Sequence, residues 1–91
     1  MNAYYKSSYI ETINPYGDTK ERWIYACYSS SVDIWTFRDE NGSCEINMCF
    51  EDTSCNKLTC IWDIYVGDSR IEITEEEYRK IERQWVKRLM E

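Results

Sequence analysis

A chain of 91 residues has room for one hydrophobic core, and with ~60–65% of its unfolded surface buried it encloses no large internal pocket. Its net charge of −6 opposes a phosphate backbone, which disfavours direct nucleic-acid binding by the body of the fold. No apolar run approaches the ~18–20 residues of a membrane span, and Met1-Asn2-Ala3-Tyr4-Tyr5-Lys6 has neither the basic nor the apolar region of a signal peptide. A cytoplasmic protein with five reduced cysteines is the expectation.

Ala3–Ile13 is Tyr-rich and β-branched enough for a first strand. Asn14-Pro15-Tyr16-Gly17-Asp18 is a turn by composition, since Pro presets φ and Gly frees it. Lys20–Ser29 follows as a second strand with ambiguous faces: Trp23, Tyr25 and Cys27 or Ile24, Ala26 and Tyr28 can each point inward, and helix is the alternative.

The stretch from Val32 to Phe50 carries Asn41-Gly42 at its middle, the strongest short-range hairpin signal. With Asn41-Gly42 as a two-residue type I′ loop, Phe37 faces Ile46, Trp35 faces Met48, and Asp33 and Phe50 close the same side. The opposite side then pairs Arg38 with Glu45, Thr36 with Asn47 and Ile34 with Cys49. Glu51–Lys57 is a polar loop, and Leu58–Val66 is assigned as the fifth strand, with Leu58, Cys60, Trp62, Ile64 and Val66 on one face. Gly67-Asp68-Ser69 turns the chain into a short extended Arg70–Ile73.

Thr74–Glu91 is a helix. Thr74 and Glu77 form a capping box, Glu75–Glu77 suit the positive end of the dipole, and Lys87 and Arg88 suit the negative end. Tyr78, Ile81, Trp85 and Leu89 make an apolar stripe at helical spacing. The fold class is α+β: one domain over 1–91, an antiparallel β-meander of about five strands with the C-terminal α-helix packed on one face. A sheet covered on one side leaves its second face to solvent or to a partner.

With no histidine in the chain, the commonest general base and metal ligand is absent, and no nucleophilic triad can be built. No phosphate-binding glycine loop occurs and no HExxH occurs, so neither an enzyme nor a cofactor is expected. Cys44, Cys49, Cys55 and Cys60 follow a C-x4-C-x5-C-x4-C spacing that lacks the close pairs of zinc sites. Cys44 and Cys60 fit the apolar face as small buried hydrophobes. A small cysteine metal-binding or redox protein is the alternative these residues leave open.

The uncovered sheet face is the candidate partner-binding surface: Ile34, Ile61 and Tyr65 form an apolar centre with Glu45, Glu51 and Asp63 around it. Asp39 and Glu40 at the hairpin tip add a second acidic cluster. An apolar centre with an acidic rim prefers a basic partner. Eight Tyr and four Trp against two Phe suit strands, and Tyr and Trp also join apolar area to a polar handle at interfaces. On the last helix Arg79, Lys80, Arg83, Lys87 and Arg88 form an outward basic face with i,i+4 support from Glu75 and Glu76.

In size, charge and lack of catalytic apparatus the chain resembles the small inhibitors encoded by phages and mobile elements, anti-CRISPR proteins among them. The resemblance rests on those properties alone, with no motif behind it. It implies a small acidic non-enzymatic binding protein that docks on a basic, nucleic-acid-binding surface of a larger protein, as a nucleic-acid mimic does. A structural protein that forms a homodimer through its sheet is the alternative.

Overall fold

The computed structural model describes residues 1–45 and 56–90. Strands β1 (Asn2–Thr12), β2 (Thr19–Ser29), β3 (Ile34–Asp39) and β4 (Cys44–Glu45) precede helix α1 (Asn56–Val66), and β5 (Ile71–Glu72) precedes helix α2 (Glu75–Leu89). The five strands form one antiparallel sheet in the order β4-β3-β2-β1-β5, so the chain is α+β with its C-terminal helix packed on the sheet.

Residues 13–18 form the expected turn between β1 and β2, and Asn14 organises it. The Asn14 side-chain oxygen accepts from the amides of Tyr16 (2.9 Å) and Asp18 (3.2 Å), and its Nδ2 donates to the Asp18 carboxylate at 2.7 Å. Asp33, between β2 and β3, lies at φ 54° and accepts the Tyr28 hydroxyl proton at 2.6 Å. A short polar side chain tolerates that left-handed backbone where a branched one does not.

The β3–β4 hairpin forms, but one residue out of the expected register. Phe37 pairs with Glu45 and Arg38 with Cys44. The Gly42 amide donates to the Asp39 carbonyl (2.9 Å) and the Asp39 amide to the Ser43 carbonyl (3.2 Å), which leaves a three-residue loop with Gly42 at φ 86°. The cause is Asp39, whose carboxylate accepts from the amides of Asn41 (2.8 Å) and Ser43 (3.1 Å) and so starts a type I turn one residue early. A one-residue slip exchanges faces: Glu45 moves to the side of Phe37, and Arg38 loses it as a partner. The expected pairs with Ile46, Asn47, Met48, Cys49 and Phe50 lie outside the described residues.

Leu58–Val66 is helical, against the expectation of a strand. The run is apolar at both periods, and its buried residues Cys60, Ile61 and Ile64 fall at helical spacing. The fifth strand is instead the two-residue β5, which pairs with the outer side of β1.

The two helices lie on opposite faces of the sheet, so each face carries one helix. Ile24, Ala26 and Phe37 meet Cys60, Ile61 and Ile64 of α1 in the hydrophobic core, with Tyr5, Tyr9 and Trp35 packed at its margin. On the other side Tyr78 of α2 is buried against Tyr4, ring centroids 5.3 Å apart, and against Arg38. Both faces of β2 therefore point inward, which is why its sequence favoured neither. The Thr74 hydroxyl caps α2 by accepting from the Glu77 amide at 3.2 Å. The apolar stripe of α2 holds only in part: Tyr78 is buried and Ile81 and Trp85 are half-buried, whereas Leu89 is exposed. No described helix is long and apolar enough to cross a membrane.

Candidate protein-binding surface

The residues expected to form one partner-facing patch are distributed over several environments. Ile34 is exposed at the start of β3. Its neighbour Trp35 faces α1, so alternation turns Ile34 to the α2 side. Ile61 is fully buried in the core beneath α1, so its side chain packs the interior. Glu45 is brought by the slipped register beneath α1, where it ion-pairs with Lys57. Burial alone would lower the Lys57 ammonium, yet the Glu45 carboxylate carries it above its usual range.

The tip acids are engaged within the fold. Asp39 holds its own turn, and Glu40 accepts from the Trp23 amide at 2.8 Å and lies 3.5 Å from Arg22. Arg22 also meets Glu11 at 2.8 Å, and these groups line a polar cleft of about 230 Å³ with Tyr9 and Lys57. Its charges are matched by internal partners, and Tyr9 is raised by burial, away from use as a base at neutral pH. Glu51 lies outside the described residues.

Asp63 and Tyr65 remain at the surface, on separate flanks of α1. Tyr65 is one end of an aromatic ridge. Trp35 lies 5.7 Å from Tyr65, 4.8 Å from Tyr28, 5.9 Å from Phe37 and 5.9 Å from Tyr5, and Trp62 stacks on Tyr65 at 5.9 Å. Arg70 caps the ridge over the Tyr5 ring at 4.4 Å. Phe37 anchors it in the core, while Trp62 (39%) and Tyr65 (46%) are exposed beside Val66 (42%).

Three acids border this ridge, and a fourth, Asp63, stands on the other flank of α1. Asp33 takes the Tyr28 hydroxyl bond and so holds that phenol above its ordinary pKa. Asp63 is half-buried on α1, Asp68 is exposed just beyond the helix, and Glu72 on β5 stands opposite Tyr5, on the α1 side of the sheet. The α1 face thus has an aromatic centre and an acidic margin, built mostly from residues other than those expected. Trp62 was hidden because the strand assignment turned it inward with Cys60 and Ile64; helical spacing through Trp62, Tyr65 and Val66 was the signal that separated it.

Cysteine chemistry divides by position. Cys60 is buried and its thiol is pushed up to about 11 by that burial, against an opposing hydrogen bond with Ser7. Cys27 is half-buried beneath α2 and also raised by burial. Cys44 is exposed, contrary to its assignment to the apolar face, because the register shift puts it opposite Arg38. Cys49 and Cys55 lie outside the described residues, and among the described residues no three His, Cys, Asp or Glu side chains gather to hold a metal ion.

No protein-family model matches the chain, and no curated protein or solved structure is significantly similar to it.

Proposed function

We propose that this chain is a small non-enzymatic binding protein that lays its α1 face on a basic surface of a larger protein, of the kind that holds nucleic acid, and blocks that surface as an inhibitor. The observation that carries this reading is the exposed, mutually stacked Trp62 and Tyr65 on a face whose margin carries Asp33, Asp68 and Glu72, with Asp63 on the far flank of the helix. Buried Trp and Tyr anchors dominate the energy of protein interfaces, and peripheral charges steer association. The acids mimic phosphates from this margin, since Asp39, Glu40 and Glu45 are engaged internally. A cytoplasmic setting, and an origin among the inhibitors of phages and mobile elements, agree with the size and charge of the chain.

The test is affinity capture from a bacterial lysate at low and high salt, run in parallel with the Trp62→Ala chain and an Asp63→Lys/Glu72→Lys chain. The expected result is a nucleic-acid-processing protein released by salt, with retention reduced about 10-fold or more by loss of the aromatic anchor. Charge reversal slows association instead. Capture that is indifferent to all three substitutions places the interface elsewhere. Recovery of the bait alone, as a dimer, supports a second reading, self-association, which the exposure of Val86, Leu89 and Met90 at the end of α2 favours.

A further inference from the structure

We infer that the outer edge of β1, from Ser8 to Thr12, is a strand-addition site for an extended basic segment of a protein partner. β5 pairs with β1 only at Tyr5 and Lys6, and among the described residues no strand continues along Ser8–Thr12. The direction of the edge groups is fixed by two bonds. The Tyr4 carbonyl accepts from the Ile73 amide at 2.9 Å, and the Ile10 carbonyl accepts from the Asn56 side chain at 2.5 Å. Backbone groups of alternate strand residues point the same way, so the N–H and C=O of Ser8, Ile10 and Thr12 all face outward. Asn56 already supplies, from a side chain, one donor that a neighbouring strand would supply.

Exposed edges are ordinarily blunted by Pro, by Lys or by a bulge. This edge presents Ser8, Ile10 and Thr12, and its pairing with β2 runs without interruption from Asn2 to Thr12. Alongside lies a groove of about 280 Å³ between the strand and α1, lined by Tyr9, Ile10, Asn56, Thr59 and Asp63. An edge strand beside a helix is the arrangement in which an extended peptide is taken up: main-chain bonds supply affinity and the groove reads alternate side chains.

The chemistry of the occupant follows from Asp63. Its carboxylate stands in the groove, and no described cation pairs with it. A Lys or Arg on the added strand supplies that cation, and the −6 chain draws a basic segment toward it. A second copy is the poorer occupant, because it sets two acidic chains against each other. Five residues of edge also span only ~17 Å, the length of a peptide contact rather than of a stable dimer interface. This inference rests on the binding-protein reading and names how such a partner is gripped.

The experiment selects ligands for the full chain from a random dodecapeptide display library and follows amide exchange by NMR. Enriched peptides should alternate apolar and polar residues around a Lys or Arg. Bound peptide should slow exchange of the Ser8, Ile10 and Thr12 amides about 10-fold, as two or three added backbone bonds imply. Ile10→Pro removes one outward N–H that no strand among the described residues takes up, and should weaken binding about 5-fold. Asp63→Lys, a surface change that spares the backbone, should abolish the basic preference. The inference is overturned if no peptide is enriched, if bound peptides leave those amides unchanged, if Asp63→Lys keeps the same preference, or if the amides become protected by dimerisation. Capture of a partner that needs Trp62 but ignores Ile10 removes strand addition alone; capture of nothing removes the wider reading.

Discussion

Toward α1 the sheet presents Ile24, Ala26 and Phe37, and the helix returns Cys60, Ile61 and Ile64. Toward α2 it presents Tyr4, Lys6 and Arg38, and the helix returns Glu77, Tyr78 and Glu82. The first contact is held by apolar area removed from water, which needs volume to match but no direction. The second is held by aligned polar groups: Arg38 donates to the Tyr78 hydroxyl (3.1 Å), to the Gly42 carbonyl (2.7 Å) and to Glu82 (2.9 Å). Arg79 adds its guanidinium, 5.6 Å from the Tyr78 ring and ion-paired with Glu82 at 3.0 Å. In a chain of this length one layer thus supplies most of the burial, and the other fixes where the hairpin and the last helix meet.

The largest effect is expected in the apolar layer. Ile64→Ala leaves a cavity at a fully buried position and should cost about 2–5 kcal/mol, read as a lower urea midpoint at unchanged slope. Arg38→Met keeps the volume but strips three acceptors at once, and should cost about 1–3 kcal/mol. If Arg38→Met costs more than Ile64→Ala, the polar layer carries the fold and the assignment above is reversed.

The smallest expected effect separates the layers by pH. Burial raises the Cys60 thiol from 9.0 to about 11 and the Tyr78 phenol from 10.0 to about 12, the latter against the opposing pull of Arg38. Both groups are neutral when protonated, so the unfolded chain loses each proton first as pH rises. Their stabilisation is complete below pH 9, declines between pH 9 and 11 for Cys60, and between pH 10 and 12 for Tyr78. Denaturation midpoints should therefore fall above pH 9. Cys60→Ala should remove the early part of that slope and Tyr78→Phe the late part. A flat profile to pH 11 contradicts the burial of both.

The unequal contacts also explain what the sequence could disclose. The Asn14 turn, the Thr74 cap and the general path of the first two strands are local, and short-range chemistry specifies them. The hairpin register was lost to a competition within four residues: Asn41-Gly42 favours a two-residue loop, and the Asp39 carboxylate overrides it with two amide bonds. Leu58–Val66 was lost to tertiary context, since its residues satisfy either period and only a sheet face in need of cover selects the helix. Arg38 illustrates the cost for the candidate surface. Assigned a neighbour in the hairpin, it finds Glu82, 44 residues away, and the acid it was meant to pair goes to Lys57 instead. The aromatic ridge was invisible for the same reason, being assembled from β1, β2, β3 and α1 once the helix exists.

Gly42 joins the hairpin to the last helix. It sits at φ 86°, and a β-carbon there would lie 2.5 Å from the Ile81 carbonyl oxygen and 2.6 Å from the Trp85 β-carbon. The hairpin tip therefore rests on the backbone of α2, and the docking of that helix depends on a loop closed some forty residues earlier. In kinetic terms the long loop predicts a late step. The β1–β2–β3 meander is built from neighbouring segments, whereas β5 returns to Tyr5 from Glu72 and α2 rests on the hairpin tip, so α2 is expected to dock last. Amide exchange should show the residues of β5 and α2 opening together at lower free energy than β2. Gly42→Ala should speed that opening while leaving the meander protected.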